Sequence, residues 1–179
     1  MIAYAGIAAL IALTLCGWQA DIRPGDGSAS NESALPRVRT TNARIRRALS
    51  EGERQSLTFR RLLQALEQSD LIVHIEAGDC TCQAARSCLS FVTLTGGARY
   101  VRVWVSLRQI QRELIEHIGH ELRHAVEIAA APEVVSDVTL KRFYERAHSS
   151  CRVRCGYETE DAQRAQAAVR AELHAPILR

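Results

Sequence analysis

The sixteen residues Leu114 to Ala129, LIEHIGHELRHAVEIA, leave the chain few ways to fold around them. Apolar groups recur there at helical spacing, which predicts one long amphipathic helix over 107–130, ending before Ala131-Pro132. Residues four apart on a helix differ by about 40° in direction and about 6 Å in rise, so His120 and His124 can aim both imidazoles at one ion. Glu121 lies about 60° from His124 around the axis, near enough to reach a water on that ion without displacing a ligand. His120-Glu121-Leu122-Arg123-His124 is therefore an H-E-x-x-H arrangement. Two neutral imidazoles beside a carboxylate are the donor set of a hydrolytic Zn²⁺ site, with Glu121 as the proton acceptor. His117, Glu113 and Glu127 fall on nearly the same stripe. They read either as partners that orient the ligands or as a solvated helix face, the latter favoured for Glu113. Two surface histidines beside a carboxylate are the plain alternative to a metal site.

Around this helix the hydrophobic period changes twice. Helices are predicted over 43–51 and 57–69, the second with Leu57, Phe59, Leu62, Leu63 and Leu66 on one stripe, and Asn42 is placed to cap the first. After Ser69-Asp70 the period falls to two, so 71–76 reads as a strand and 77–88 as a Gly- and Cys-containing loop. Residues 89–95 and 99–106 read as a hairpin turning at Gly96-Gly97, with Tyr100, Arg102 and Trp104 alternating against Val101, Val103 and Val105. Helices over 133–147 and 158–173 complete the chain. Helices, a small antiparallel sheet and further helices make α+β the expected class.

The ends and the cysteines bear on location. Residues 1–20 contain no charged side chain and have the length of a signal peptide or a membrane anchor. No Lys or Arg precedes that run, whereas Arg23, Arg37, Arg39, Arg44, Arg46 and Arg47 follow it. Residues 21–42 are rich in Gly, Ser, Pro and Asn and read as a flexible tether, leaving 43–179 as the domain. The expectation is an exported protein, periplasmic or extracellular, either cleaved or anchored. Cys16 lies in the leader, and Cys80, Cys82, Cys88, Cys151 and Cys155 follow in two clusters. In an oxidising compartment they read as two disulfides and one thiol, with connectivity open. The rival reading, a cysteine metal site, lacks the C-x-x-C spacing of structural zinc. A net charge of +3, from 23 basic and 20 acidic residues, is too balanced to point to nucleic acid. The basic stretches Arg37–Arg47 and Arg60-Arg61 do not change that, given the acids interspersed along the chain and the apolar leader.

A catalytic zinc site needs a third protein ligand and leaves a fourth position to water. No later His stands at the H-E-x-x-H-x-x-G-x-x-H spacing. Instead Tyr157-Glu158-Thr159-Glu160-Asp161-Ala162 opens the last helix, with Glu158 34 residues after His124. Here the chain resembles the gluzincin-type HExxH zinc metallopeptidases, whose third ligand is a glutamate on a following helix. The CAAX-type and heat-shock membrane proteases carry that glutamate in an E-x-x-A-D setting, and Asp161-Ala162 stands where they have Ala-Asp. HELRHAVEIA and YETEDA, with the strand and hairpin before them, also resemble an uncharacterised family of small exported bacterial zincin-like proteins, over roughly residues 43–173.

The resemblance implies a minimal zincin-like domain in which an active-site helix is followed by a ligand-bearing helix. His120, His124 and Glu158 would hold Zn²⁺, Glu160 is the alternative third ligand, and Glu121 would be general base. Both acids also suit a helix N-terminus with no metal, because the macrodipole favours carboxylates there. The resemblance further implies a His or Tyr that stabilises the oxyanion, for which Tyr144, His148 and Tyr157 are available. It implies an edge strand along which a peptide or protein substrate adds, with 99–106 as the candidate edge and a plain structural strand as the alternative. His74 and His174 read as incidental. The expected function is zinc-dependent peptide-bond hydrolysis, on a protein or a cell-wall peptide. The alternative is a non-catalytic metal-binding interaction module exported to the periplasm or cell surface.

Overall fold

The computed structural model describes residues 36–80, 85–146 and 157–175, within a compact unit that begins at Leu35. The leader 1–20, Cys82, His148, Cys151 and Cys155 lie outside the described residues. The elements are β1 (Val38–Arg39), α1 (Ala43–Gln55), α2 (Leu57–Glu67), β2 (Leu71–Ala77), β3 (Ser87–Thr95), β4 (Ala98–Val105), α3 (Gln111–Ala129), α4 (Asp137–Arg146) and α5 (Glu160–His174). Among the described residues no helix is long and apolar enough to cross a membrane.

Local chemistry explains where the helices begin. Asn42 caps α1 by accepting from the Arg44 and Ile45 amides, at 2.9 and 3.2 Å. Ser56 takes extended backbone between α1 and α2, and its Oγ accepts from the Phe59 amide at 3.0 Å. α3 starts at Gln111 rather than at 107 because Arg44 captures the carbonyls of Leu107 and Gln109, holding that stretch outside the helix. α4 likewise waits until Asp137, where the Ser136 Oγ accepts from the Thr139 amide at 3.3 Å.

The α+β class holds, with a correction to the sheet. Its four strands lie in the order β1-β2-β4-β3, and only the β3–β4 pair is antiparallel. β1 and β2 pair in parallel, as do β2 and β4, so the sheet is mixed. The β3–β4 hairpin turns on Gly96 and Gly97, whose φ of 59° and 78° suit residues without a Cβ. It lays β4, not β3, beside β2. β4 is therefore central, paired with Leu71–Ala77 on one side and with β3 on the other, and 99–106 is not an edge. The edge nearest α3 belongs to β3. Residues 36–42, expected in the tether, belong to the fold: Val38 and Arg39 pair with Val73 and His74.

Val73, Ile75, Val101, Val103 and Val105 form the sheet's share of the core, together with Ile45, Phe59 and Leu66 of α1 and α2 and Ile115, Ile118 and Leu122 of α3. Cys80 and Cys88 are joined by a disulfide, closing the loop that precedes β3. Arg99, only 2% exposed, begins β4 and binds in two directions. Its guanidinium donates to both Asp70 carboxylate oxygens, at 2.8 and 2.7 Å, and to the carbonyls of Ile128 (2.9 Å), Ala129 (3.1 Å), Ala131 (2.7 Å) and Val134 (3.3 Å). The last turn of α3 and the turn that follows it are thus tied to the sheet, adding to the backbone bonds that the Ile128 and Ala131 carbonyls accept from the Ala131 and Val134 amides.

Arg99→Met removes the bonds to Asp70 and to these carbonyls, of which, among the described residues, only those of Ile128 and Ala131 also accept from backbone amides, those of Ala131 and Val134. It is expected to lower the unfolding free energy by about 3–5 kcal/mol in urea titrations, with Arg99→Lys failing to restore it because one ammonium lacks the fork of donors. The Arg99 guanidinium also holds the half-exposed Asp70 carboxyl below its ordinary range. The contribution of that pair is therefore full above the ordinary carboxylate pKa and is lost as pH falls through the lowered folded value. Stability against pH should lose that acid-side component in Asp70→Asn.

Candidate metal centre

α3 carries both histidines on its buried face, with His120 8% and His124 2% exposed. Gly119 allows this placement: a Cβ there would stand 3.1 Å from Val169 of α5, so its absence lets α5 approach beside His120. Glu158 enters from the residues just before α5. One ligand atom from each of His120, His124 and Glu158 lies within 4.8 Å of the others. The Nε2 atoms of the two rings are 3.1 Å apart, and Glu158 Oε1 is 3.6 Å from His120 Nε2.

The hydrogen bonds around the site decide which atoms carry lone pairs. His124 Nδ1 lies 3.0 Å from Glu127 Oε2, a pure acceptor, so Nδ1 bears a proton, and in the neutral ring Nε2 faces the cluster as a lone pair. Tyr144 packs edge-on against His124, and its hydroxyl donates to Glu127 at 3.4 Å. Burial, helped by the neighbouring His124 and His117, lowers the His120 pKa to about 4, so this ring is neutral. Burial pulls His124 down too, but its bond to Glu127 and the carboxylates of Glu121, Glu127 and Glu158 outweigh that and hold it above its ordinary value. Burial raises the Glu158 carboxyl, whose Oε1 is buried with no hydrogen-bond partner.

With both rings neutral, two imidazole lone pairs and a carboxylate oxygen turned towards one another repel unless a positive charge, a proton or a metal ion, lies between them. Two nitrogens and one oxygen are the donor set that Zn²⁺ accepts, and the residues present fit such an ion.

Glu121 is 3% exposed and stays outside this converging set. Ser87 at the start of β3 donates to its Oε1 at 2.7 Å, and burial raises its carboxyl above the usual range. The cavity beside these groups is about 300 Å³, walled by Arg86, Ser87 and Cys88 on one side and by His117, Tyr157 and Gln166 on the other.

The two candidate third ligands part company. Glu160 is exposed and pairs with Arg164 at 3.0 Å, away from the histidines. Glu158 is held towards them by its neighbours. Thr159 caps α5 and donates to Glu127 Oε1 at 2.8 Å, while Asp161 pairs with Arg123 of α3. Glu127 thus grips His124 with one oxygen and the segment carrying Glu158 with the other. Those two bonds and the Arg123 charge overcome the burial that would raise its carboxyl, and hold it below the ordinary range. Glu113 closes the first turn by accepting from the Ile110 amide at 3.3 Å. Of the oxyanion candidates, Tyr144 and Tyr157 stack with centroids 4.3 Å apart, and both line the cavity. His74 stacks on Tyr100 in the sheet, and His174 lies at the end of α5 beside Arg112.

Sequence reasoning missed Ser87, Gln109, Thr159 and Gln166. Thr159 had a local signal, a threonine followed by two acids at a helix start. The others reach the site only through tertiary folding.

Zinc affinity is expected to fall about 10–100-fold in Glu127→Gln, and less in Thr159→Ala, which loosens the Glu158 segment but leaves the His124 bond intact. Competition titration against a chelating indicator reads both. Comparisons with protein-family models, curated proteins and solved structures give no match.

Proposed function

We propose that the chain is a zinc-dependent peptide-bond hydrolase of gluzincin type, acting on an exported peptide or protein. One observation carries this reading: three lone-pair atoms converge at the wall of an open cavity while a fourth group, Glu121, is held beside them rather than among them. A closed structural zinc site takes a fourth protein ligand instead of leaving room for water, and among the described residues no fourth His, Cys, Asp or Glu joins the set.

His120, His124 and Glu158 would hold the ion. Bound Zn²⁺ supplies acidification of a water and polarisation of the scissile carbonyl. Glu121, buried and with its carboxyl raised, takes the proton from the attacking water and returns it to the departing amine. Ser87 keeps that carboxylate aimed. Tyr144 and Tyr157 both line the cavity, and because the Tyr144 hydroxyl donates to Glu127, Tyr157 is the phenol that donates to the carbonyl oxygen as charge develops on it. The edge available to an extended substrate is β3 near Ser87. Farther along, the Val92 amide is taken by Asp137 at 3.0 Å and Thr93 bridges to Ser136, which closes that end. The apolar leader and the Cys80–Cys88 disulfide support an exported location.

Elemental analysis of the purified protein is expected to find one zinc per chain, lost or weakened in His120→Ala and Glu158→Ala. Glu121→Gln is expected to keep the metal and lose hydrolysis of a fluorogenic peptide library by at least about 100-fold. Undiminished hydrolysis in that variant would sink the mechanism, and zinc without hydrolysis in the wild type would leave a metal-binding module.

A further inference from the structure

His117 lies one turn before His120 on α3 and lines the same cavity, yet it is not among the converging ligand atoms. Its own hydrogen bonds give it a definite chemical form. Gln109, 9% exposed, sits in the turn before α3, and its Nε2 donates to the Ser106 carbonyl at 2.6 Å. That bond settles the amide's orientation, because the flipped rotamer would press Gln109 Oε1 against another carbonyl oxygen. Gln109 Oε1 therefore faces His117, 2.7 Å from Nδ1, and the Glu113 carbonyl is 2.8 Å from the same nitrogen. Both neighbours are acceptors, so Nδ1 carries the ring proton. Burial lowers the pKa of this imidazole, more than its bond to Glu113 and the nearby acids raise it, which keeps the ring neutral. His117 Nε2 is then a lone pair with no bonding partner among the described residues.

We propose that His117 is a substrate-positioning residue whose Nε2 accepts an N–H from the main chain of a peptide bound in the cavity. The proposal rests on the hydrolase reading. Gln109 serves it indirectly, by holding the tautomer that leaves Nε2 free to accept. Ser106, Gln109 and His117 form a chain from the end of β4 to the cavity, so the acceptor is set before substrate arrives and needs no rearrangement to bind it.

Two variants separate this role from a structural one. In His117→Asn the side-chain amide can still donate to Gln109 but presents nothing at the Nε2 position. In His117→Gln an amide oxygen can occupy that position. With zinc-loaded full-length protein and a fluorogenic peptide library, His117→Asn is expected to raise KM about tenfold with kcat nearly unchanged, and His117→Gln to stay close to wild type. Nitrogen-15 NMR of the imidazoles in Glu121→Gln protein gives a reading independent of turnover. Nδ1 of His117 should carry the proton with and without zinc, and Nε2 should shift when the peptide library is added but not with zinc alone. The proposal is overturned if Nε2 is protonated, if zinc alone moves it, if both variants lose activity alike, or if His117→Asn keeps its KM. A zinc-loaded wild type that cleaves nothing removes the hydrolase reading itself and this role with it, an outcome distinct from those four.

Discussion

The placement of α3 depends on a buried cation. A helix that carries chemistry must be held in direction as well as position, and the end of α3 leaves carbonyls that no helical amide can satisfy. Arg99 meets that need from the second residue of β4, while its other edge is paired with Asp70, the residue before β2. One guanidinium thus fastens two parallel neighbours in the sheet to the C-terminal end of the helix between Ile128 and Val134. Its planar fork of donors matches carbonyls and a carboxylate at once, which a lysine could not do. At the opposite end of α3, Arg44 holds the carbonyls of Leu107 and Gln109. The helix is pinned at both ends by arginines from other elements, and the histidines sit between the pins.

Within that frame the site is built by coupling α3 to α5. Glu127 is the joint, with one carboxylate oxygen on His124 and the other on Thr159, next to Glu158. The bond to His124 sets which nitrogen faces the cluster, and the bond to Thr159 sets where Glu158 enters. Buried Glu116, paired with Arg170 at 2.7 Å, adds a second tie between the helices, and Glu172 reaches from α5 to the start of α2, accepting from the Thr58 amide at 3.0 Å. A carboxylate is suited to such joints because it accepts in two directions, and each charge-assisted bond is stronger than a neutral one.

The chemistry of the long helix was legible in one dimension because its geometry is local. A helix converts a spacing of four into a shared direction, so His120, Glu121 and His124 declare themselves without reference to the rest of the chain. The hairpin at Gly96-Gly97 and the Asn42 cap were legible for the same reason, since each depends on a few adjacent residues. Strand partners are different. The alternation in β4 shows that one face is buried, and a strand flanked on both edges alternates in the same way as one flanked on a single edge. That is why the parallel β2–β4 pairing and the central place of β4 were misread as an antiparallel sheet with an exposed edge. Choosing Glu158 over Glu160 also lay beyond periodicity: both suit a helix start, and only the contacts of Thr159 and Asp161 with α3 turn Glu158 inward.

By itself, then, the sequence determined the elements other than β1, the α+β class, and a helix able to present two imidazoles and a carboxylate to one point. These follow from short-range periodicity and from the side chains' own chemistry. Tertiary structure decided what meets that helix: Glu158 as the group facing the histidines, Ser87 on Glu121, Thr159 on Glu127, and the Gln109 amide that sets the tautomer of His117. Each of those pairings joins residues on different elements or on separate turns of one. Hydrogen-bond complementarity selects them only once packing has brought donor and acceptor within about 3 Å.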